Sequence, residues 1–323
     1  AAGARVATAT ASQGLAFMWE ELHIASGMRC PIVMANANRA LSAPINIHGD
    51  HSDIMGVRDT GWAMMFAETA QEAYDNTIIA FKVAEDPNVL LPVLTTLDGF
   101  VTSHAMDNCV MEEDQVVKDF VGDYKPLYPL LDTENPVGHG MFATLGNGYM
   151  KYKLTERHAL DNALEAFEKH GKEWEEITGR SFEVVDSWGA EDADYLIVVL
   201  GSCACNARHQ ARLLRAEGKK VGVVRPRIFR PFPAKQIVEA CKNAKAVAVI
   251  DRSDSFGSPH APLALEVRAA FQDAGLQIPV SDYLAGMGGA DITLDQMGQV
   301  YAELEQRAQG TYDGSIKYLG IEE

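Results

Sequence analysis

Basic side chains are scarce in the first third of this chain, where residues 1–117 hold only Arg5, Arg29, Arg39, Arg58 and Lys82. Over all 323 residues, 28 Lys and Arg face 45 Asp and Glu, a formal net charge of −17. So acidic a surface argues against nucleic acid and anionic membrane as partners. It also argues against this chain alone docking a very acidic redox carrier. Cysteine is sparse too. Cys30, Cys109, Cys203, Cys205 and Cys241 are scattered without a Cys-x-x-Cys pair, which excludes the usual zinc ribbon and any cluster-binding run within the chain, so no metal ligands are expected here. An odd, thin set of thiols suits a reducing cytoplasm better than a disulfide scaffold. No apolar run is long enough to span a membrane, and no charged-then-apolar signal segment is present.

What is there is an ordinary apolar fraction, 47%, on a chain longer than one hydrophobic core usually serves, so two domains are expected. The stretch around which the rest is organised runs from Arg39 to Gly61. It follows Pro31-Ile-Val-Met-Ala35, short, partly β-branched and closed by Asn36 and Asn38, which reads as a buried strand delivering a loop at its carboxyl end. Open α/β sheets place ligands there. An isolated guanidinium just past such a strand suits a planar anion such as a carboxylate. The alternative is an internal ion pair of Arg39 with Asp50 or Asp53.

Taken in order, residues 1–10 open almost at once in what reads as a core strand, which implies that an N-terminal part of the parent domain lies outside this chain. Thr10 to Leu15 reads as a strand-to-helix turn with Ser12 as N-cap, and Leu15, Met18, Trp19 and Leu22 come next at helical spacing up to Gly27. Thr69-x-x-Glu72 is a capping-box pattern opening a helix that lasts to Asp86-Pro87. Val89 to Leu94 reads as the next buried strand, followed by Asp98-Gly-Phe-Val-Thr-Ser-His104. Adjacent Ser103 and His104 rarely make a nucleophile pair. Residues 112–150 are irregular and rich in Pro and Gly, as in a segment that wraps a surface or covers a site. Thr155 to Thr178 reads as a charged amphipathic helix ended by Gly179.

Beyond Asp186 strands and helices alternate cleanly: strands at 195–200, 221–224, 246–250 and 278–280, with helices ending near 217, 241 and 274. That pattern predicts a parallel α/β sheet. Its first turn, Gly201-Ser-Cys-Ala-Cys205, lacks the glycine spacing of a dinucleotide loop. Cys203 and Cys205 read as small residues at a tight turn, with a redox role as the alternative.

Several runs resemble, in matching order, the α subunit of pyruvate:ferredoxin oxidoreductase, within the 2-oxoacid:ferredoxin oxidoreductase family. They are Ala2-Gly-Ala-Arg-Val6, Thr10-Ala-Ser-Gln-Gly-Leu15, Arg39-Ala40, Gly49-Asp-His-Ser-Asp53, Arg58-Asp-Thr-Gly61, Gln71-Glu-Ala73, Leu97-Asp-Gly-Phe100, Ser103-His104, Gly201-Ser202 and Arg225-x-Arg-x-Phe-Arg-Pro-Phe-Pro233. The resemblance implies a pyrimidine-type thiamine-diphosphate-binding α/β domain over residues 1–185, followed by a transketolase C-terminal-like parallel α/β domain over 186–323. It implies oxidative decarboxylation of pyruvate with coenzyme A to acetyl-CoA and CO2, with electrons passed reversibly to ferredoxin. By family position Arg39 is the catalytic residue that meets the substrate carboxylate. Thr10, Ser12 and Gln13 would lie at the cofactor, while Asp50, His51 and Asp53 would support the loop. The glutamate that activates the aminopyrimidine in this family, and a Thr-containing substrate loop, would lie upstream of Ala1. The diphosphate, its Mg2+ and an iron–sulfur cluster would belong to a β subunit, with further [4Fe-4S] clusters in γ and δ subunits or domains, so the lone chain is expected to be inactive. Two other readings stand beside this one: the same scaffold acting on 2-oxoisovalerate or oxalate, and a non-catalytic scaffold subunit.

Overall fold

The computed structural model describes residues 1–140, 142–143, 146–311 and 315–321. In chain order the elements are β1 (Val6–Thr10), α1 (Gln13–Phe17), α2 (Trp19–Gly27), β2 (Ile32–Asn38), α3 (Ser52–Gly56), β3 (Ala63–Phe66), α4 (Ala70–Glu85), β4 (Val93–Asp98), α5 (Asp114–Val121) and α6 (Gly148–Thr178). They continue as β5 (Val185–Trp188), β6 (Tyr195–Val199), α7 (Cys203–Ala216), β7 (Val221–Pro226), β8 (Ile228–Arg230), α8 (Ala234–Cys241), β9 (Ala246–Asp251), α9 (Pro262–Asp273), β10 (Val280–Leu284), α10 (Leu294–Ala308) and β11 (Lys317–Tyr318).

Two sheets result, in the orders β1-β2-β4-β3-β8 and β11-β10-β9-β6-β7-β5. All pairings are parallel except β3 with β8 and β5 with β7. The first sheet is therefore closed by a strand from the second half of the chain. Immediately after β7 in the second sheet, the backbone crosses over and pairs Ile228 and Arg230 with Met65 and Met64. One apolar cluster, with Met34, Phe66, Leu94, Phe229, Leu196, Val224 and Val249 among its members, runs without interruption from one sheet into the other. The outer face of the first sheet is covered by α4 and α6 through Ile79, Val83, Ala163, Phe167 and Trp174, and that of the second by α7 and α10 through Ala207, Ala211, Val300 and Leu304.

Helix α4 starts where Thr69 accepts a hydrogen bond from Glu72 N at 3.2 Å. Its neighbour α6 stops at Gly179, whose left-handed φ of 70° suits glycine. Trp174 of α6 donates its indole N–H to Asp75 of α4 at 2.8 Å, and Arg180 grips the same carboxylate with Nε and Nη2 at 2.9 and 2.8 Å.

The structure departs from the sequence expectations at several places. β1 is not a core strand but an edge, exposed at four of its five residues, because among the described residues it has a sheet neighbour on one side only. The helix expected over 12–27 is two, broken at Met18. The strand expected at 89–94 begins at Val93, though Val89 and Leu91 are buried all the same: hydrophobicity reported burial, and Pro92 withheld the ladder donor. The strand expected at 278–280 occupies 280–284, with buried Ser281 and Asp282 on it. Residues 112–150 contain α5 and the first turn of α6, and the loop between them doubles back so that Leu130 N donates to Ala1 O at 2.8 Å.

Candidate active site

The carboxyl ends of β1 and β2 lie side by side, Thr10 paired with Asn36, and one carboxylate gathers the segments that lead out of both strands. Asp53 Oδ2 accepts from Ser12 N at 2.9 Å, Arg39 N at 3.1 Å and Asn36 Nδ2 at 3.1 Å, and its Oδ1 from Ile54 N at 2.7 Å. Asp53 is buried. Desolvation raises its pKa above the usual carboxylate range, with the four donors opposing the rise.

Ser12 is fully buried at φ 52° and ψ −123° and caps no helix with its side chain. The expected N-cap is overruled because its hydroxyl points the other way, 2.6 Å from both Ala40 O and Gln13 Oε1. Gln13 extends the cluster: Nε2 donates to Ser42 Oγ at 2.8 Å, and Oε1 lies 3.3 Å from Arg39 Nη2. Thr10, half-buried, has its hydroxyl beside Gly14, where any side chain would collide with it.

Arg39 is half-buried. Its Nε is shielded and unpartnered, and among the described residues its guanidinium makes no ion pair. The internal partners considered from the sequence are committed elsewhere. Asp53 takes the backbone N–H of Arg39 rather than its guanidinium, and Asp50 accepts from Ser52 N, Ser52 Oγ and Gly288 N at 2.9, 2.6 and 2.9 Å. A planar cation at a sheet's carboxyl edge, in so acidic a chain, is thus left with charge to spare for an anion.

Two buried ionic knots fasten this edge to the second sheet. Asp98, the last residue of β4, accepts from His51 Nε2 at 2.6 Å, lies 3.1 Å from Arg252 Nη1, and accepts from Ser202 N and Oγ at 2.7 and 2.5 Å. Burial opposes its ionisation, but Arg252 and His51 overcome that and hold Asp98 well below the usual carboxylate range. In the second knot Glu72 takes Arg225 in a two-pronged grip at 2.9 and 2.8 Å and Arg227 at 2.5 Å, while Glu68 meets Arg208 at 2.9 Å. Desolvation disfavours the Glu72 charge, yet Arg225 and Arg227 bring its pKa below the usual range.

The motifs that carried the family resemblance are accounted for mainly by these knots. Gly49-Asp-His-Ser-Asp, Leu97-Asp-Gly and Gly201-Ser meet at Asp98, and Gln71-Glu meets Arg225-x-Arg at Glu72. A side chain at Gly49 would strike the Gly99 carbonyl, and one at Gly99 the Asn38 carbonyl, so both glycines are set by close backbone approach. The capping box at Thr69 is half realised, since Glu72 reaches Glu68 N at 2.8 Å and the arginines instead of the N-cap N–H.

The remaining candidates fall outside the site. The Gly201 turn spends its donors on Asp98. Cys203 is buried, its thiol pushed up by burial to about 12, while Cys205, exposed as a residue, has its sulfur partly buried where it donates to Glu68, that local burial and the carboxylate pushing its thiol up to about 12. Ser103 Oγ does lie 2.8 Å from His104 Nδ1, but the ring stacks on Phe100 in the open and no carboxylate orients it among the described residues. Among those residues no group of three or more His, Cys, Asp and Glu is gathered as for a metal ion, and no helix is long and apolar enough to cross a membrane. Sequence reading missed Arg252, Asp98 and Glu72 as a structural set, because each pairs with a residue more than a hundred positions away.

A thiamine-diphosphate-binding-type α/β domain followed by a second, mainly parallel α/β domain is the class that the fold and the matching family models define. Residues 1–173 match the family described as pyruvate flavodoxin/ferredoxin oxidoreductase, thiamine diphosphate-binding, and residues 193–297 match pyruvate:ferredoxin oxidoreductase core domain II. The pyruvate synthase subunit PorA of Thermotoga maritima is 43% identical over all of this chain, which spans 81% of that protein. The ketoisovalerate oxidoreductase subunit VorA of Pyrococcus horikoshii is 37% identical over 99% of this chain and 81% of its own length. Among solved structures, 2-oxoglutarate:ferredoxin oxidoreductase from Magnetococcus marinus shares the fold with a TM-score of 0.66 at 20% identity, covering 94% of this chain and 54% of that one. The chain belongs to the pyruvate:ferredoxin oxidoreductase family, as a subunit of the 2-oxoacid oxidoreductase type.

Proposed function

We propose that this chain forms one wall of the thiamine diphosphate site of a multi-subunit pyruvate:ferredoxin oxidoreductase, and that Arg39 binds the carboxylate of the 2-oxo acid. The observation that carries the reading is the half-buried Arg39 guanidinium, without an ion-pair partner among the described residues, at the sheet edge where Gln13 Oε1 meets it. Those groups fit the expected ligands: an orphaned Nε and a planar fork suit a carboxylate, and the hydroxyl of Thr10 and the amide of Gln13 suit the polar rim of a heterocycle. When bound, the thiazolium of thiamine diphosphate supplies the electron sink for the carbanion left by decarboxylation. Arg39 would hold the acid by its carboxylate, its planar fork restricting how the acid can lie. Gln13 restrains the guanidinium through Oε1 while Ser42 fixes the Gln13 amide, so the donor fork enters the encounter already aimed.

In the same proposal the diphosphate, Mg2+ and [4Fe-4S] clusters sit in a β subunit and in γ and δ subunits or domains, coenzyme A and ferredoxin meet the assembled complex, and the complex is cytoplasmic. The division of the chain at residues 185 and 186 belongs to the proposal as well; the change of sheet supports it to within a residue, since β5 of the second sheet begins at Val185, and among the described residues β8 is the strand that crosses back. A second substrate reading, 2-oxoisovalerate, is favoured by the ketoisovalerate subunit among the relatives.

The test uses the assembled complex and pyruvate-dependent dye reduction. Arg39→Gln is expected to raise KM for pyruvate about a hundredfold, the scale of a lost charge-assisted contact in a dry site, without loss of assembly. An unchanged KM refutes the assignment. The same assay with 2-oxoisovalerate ranks the two substrates, and full activity from the isolated chain refutes the shared-site reading.

A further inference from the structure

Arg39 is pinned on both sides along the backbone. Its own N–H is held by Asp53, and the carbonyl of the next residue, Ala40, by the Ser12 hydroxyl. Both anchors come together at Ser12, whose N–H is a third ligand of the same Asp53 oxygen. Ser12 carries this at a cost. A φ of 52° with ψ −123° is a conformation that glycine adopts freely and a side chain resists. If the turn needed only its shape, glycine would serve it better; what glycine lacks is the hydroxyl, and that hydroxyl reaches Ala40 O and Gln13 Oε1, the two neighbours of the Arg39 guanidinium and backbone. With 0% exposure, Ser12 has no surface left for a ligand.

We propose that Ser12, with Asp53 beneath it, is a positioning residue that fixes the Arg39 guanidinium for the substrate carboxylate, rather than a group that touches the cofactor. This rests on Arg39 being the group that binds that carboxylate. Strain at Ser12 is retained because the surrounding bonds over-determine it, as at other sites where a local backbone cost maintains a functional geometry.

The experiment compares Ser12→Gly, Ser12→Ala, Arg39→Gln and the two double variants in the assembled complex, reading KM and kcat for pyruvate, the thiamine diphosphate concentration for half activation, and Tm. Both Ser12 variants lose the hydroxyl, so both are expected to raise KM for pyruvate about tenfold with a smaller effect on kcat. Only Ser12→Gly relieves the backbone, so it is expected to melt several degrees above Ser12→Ala. KM thus tracks the hydroxyl while Tm tracks the strain. In the Arg39→Gln background neither Ser12 change is expected to raise KM further, since the residue acts through Arg39. Half-activation by thiamine diphosphate is expected to stay unchanged.

A KM that tracks Tm across the two Ser12 variants, effects that multiply with Arg39→Gln, or a weakened response to thiamine diphosphate would each overturn the proposal. Arg39→Gln with a raised KM but Ser12 variants with a normal one would overturn the positioning role alone. An unchanged KM in Arg39→Gln would overturn the substrate reading beneath it. Should Ser12→Ala fail to assemble, Ser12→Gly and its double variant carry the same decision.

Discussion

Replacing Asp98 by Asn removes one charge and almost no volume, and it isolates the knot that is centred on a single carboxylate. Asp98 is 1% exposed and faces Arg252, itself 3% exposed, at 3.1 Å, with His51 at 2.6 Å. An Asn can still accept from that side, but its amide then presents hydrogens to Ser202 N and Oγ, which lose their acceptor. Arg252 is left with two backbone carbonyls, Gly49 O and Gly286 O, and no countercharge in this knot. Breaking a buried pair from one side costs on the order of 4 kcal/mol, equivalent to a fall of about 10 °C in Tm for a chain of this size. The pH dependence comes from the depressed carboxyl. A group whose folded pKa lies below its unfolded value contributes stability that is present above the unfolded value and is lost as pH falls through the folded one. The gap between the parent protein and Asp98→Asn is therefore expected to be constant from about pH 5 to 8 and to shrink below about pH 4. Urea denaturation followed by tryptophan fluorescence across that range measures it. A gap under about 1 kcal/mol at pH 7, the level of a surface pair, would refute the reasoning, as would a gap that widened in acid.

Two further outcomes are expected. Gly99→Ala drives a methyl against the Asn38 carbonyl just before Arg39, and overpacking there is expected to lower stability by about 2 kcal/mol and to raise KM for the 2-oxo acid; a neutral substitution by both measures would show that the approach of these strands is not tight. Asp251 is fully buried, and burial, reinforced by Asp282, lifts its pKa to about 8 against the backbone N–H groups of Leu263 and Ala264 that it accepts. Stability tied to a raised carboxyl pKa is full below the unfolded value and is lost as pH rises through the folded one, so the parent protein is expected to weaken as pH rises toward about 8 and Asp251→Asn to weaken less; parallel slopes in urea titrations over that rise would contradict this.

Much of the second half was readable because alternation of buried strands with amphipathic helices is a local signal. The helix Ala234–Cys241 stands where periodicity put it. Misread elements are those whose environment is remote. β1 looked like core because its composition is apolar, yet edge or centre depends on how many neighbours a sheet supplies. β8 is three residues long and gains its identity only by pairing with a strand more than 160 positions earlier. Ser12 looked like a cap because serine before a helical pattern normally is one; the carbonyl that drew its hydroxyl inward belongs to another strand's end.

The sequence by itself determined the acidic surface, the α/β class, the family and the isolation of Arg39 among few cations, all of which depend on composition, local period or motif order. Only the tertiary structure decided which charges are spent on holding the sheets together and which is left over. Asp50 and Asp53 stood as candidates to neutralise Arg39 until the chain folded, and Asp98, Glu68 and Glu72 had no assigned partner. Long-range packing then committed them to backbone N–H groups and to Arg208, Arg225, Arg227 and Arg252, and ion pairing, which acts over a few ångströms, obeys that geometry rather than order along the chain.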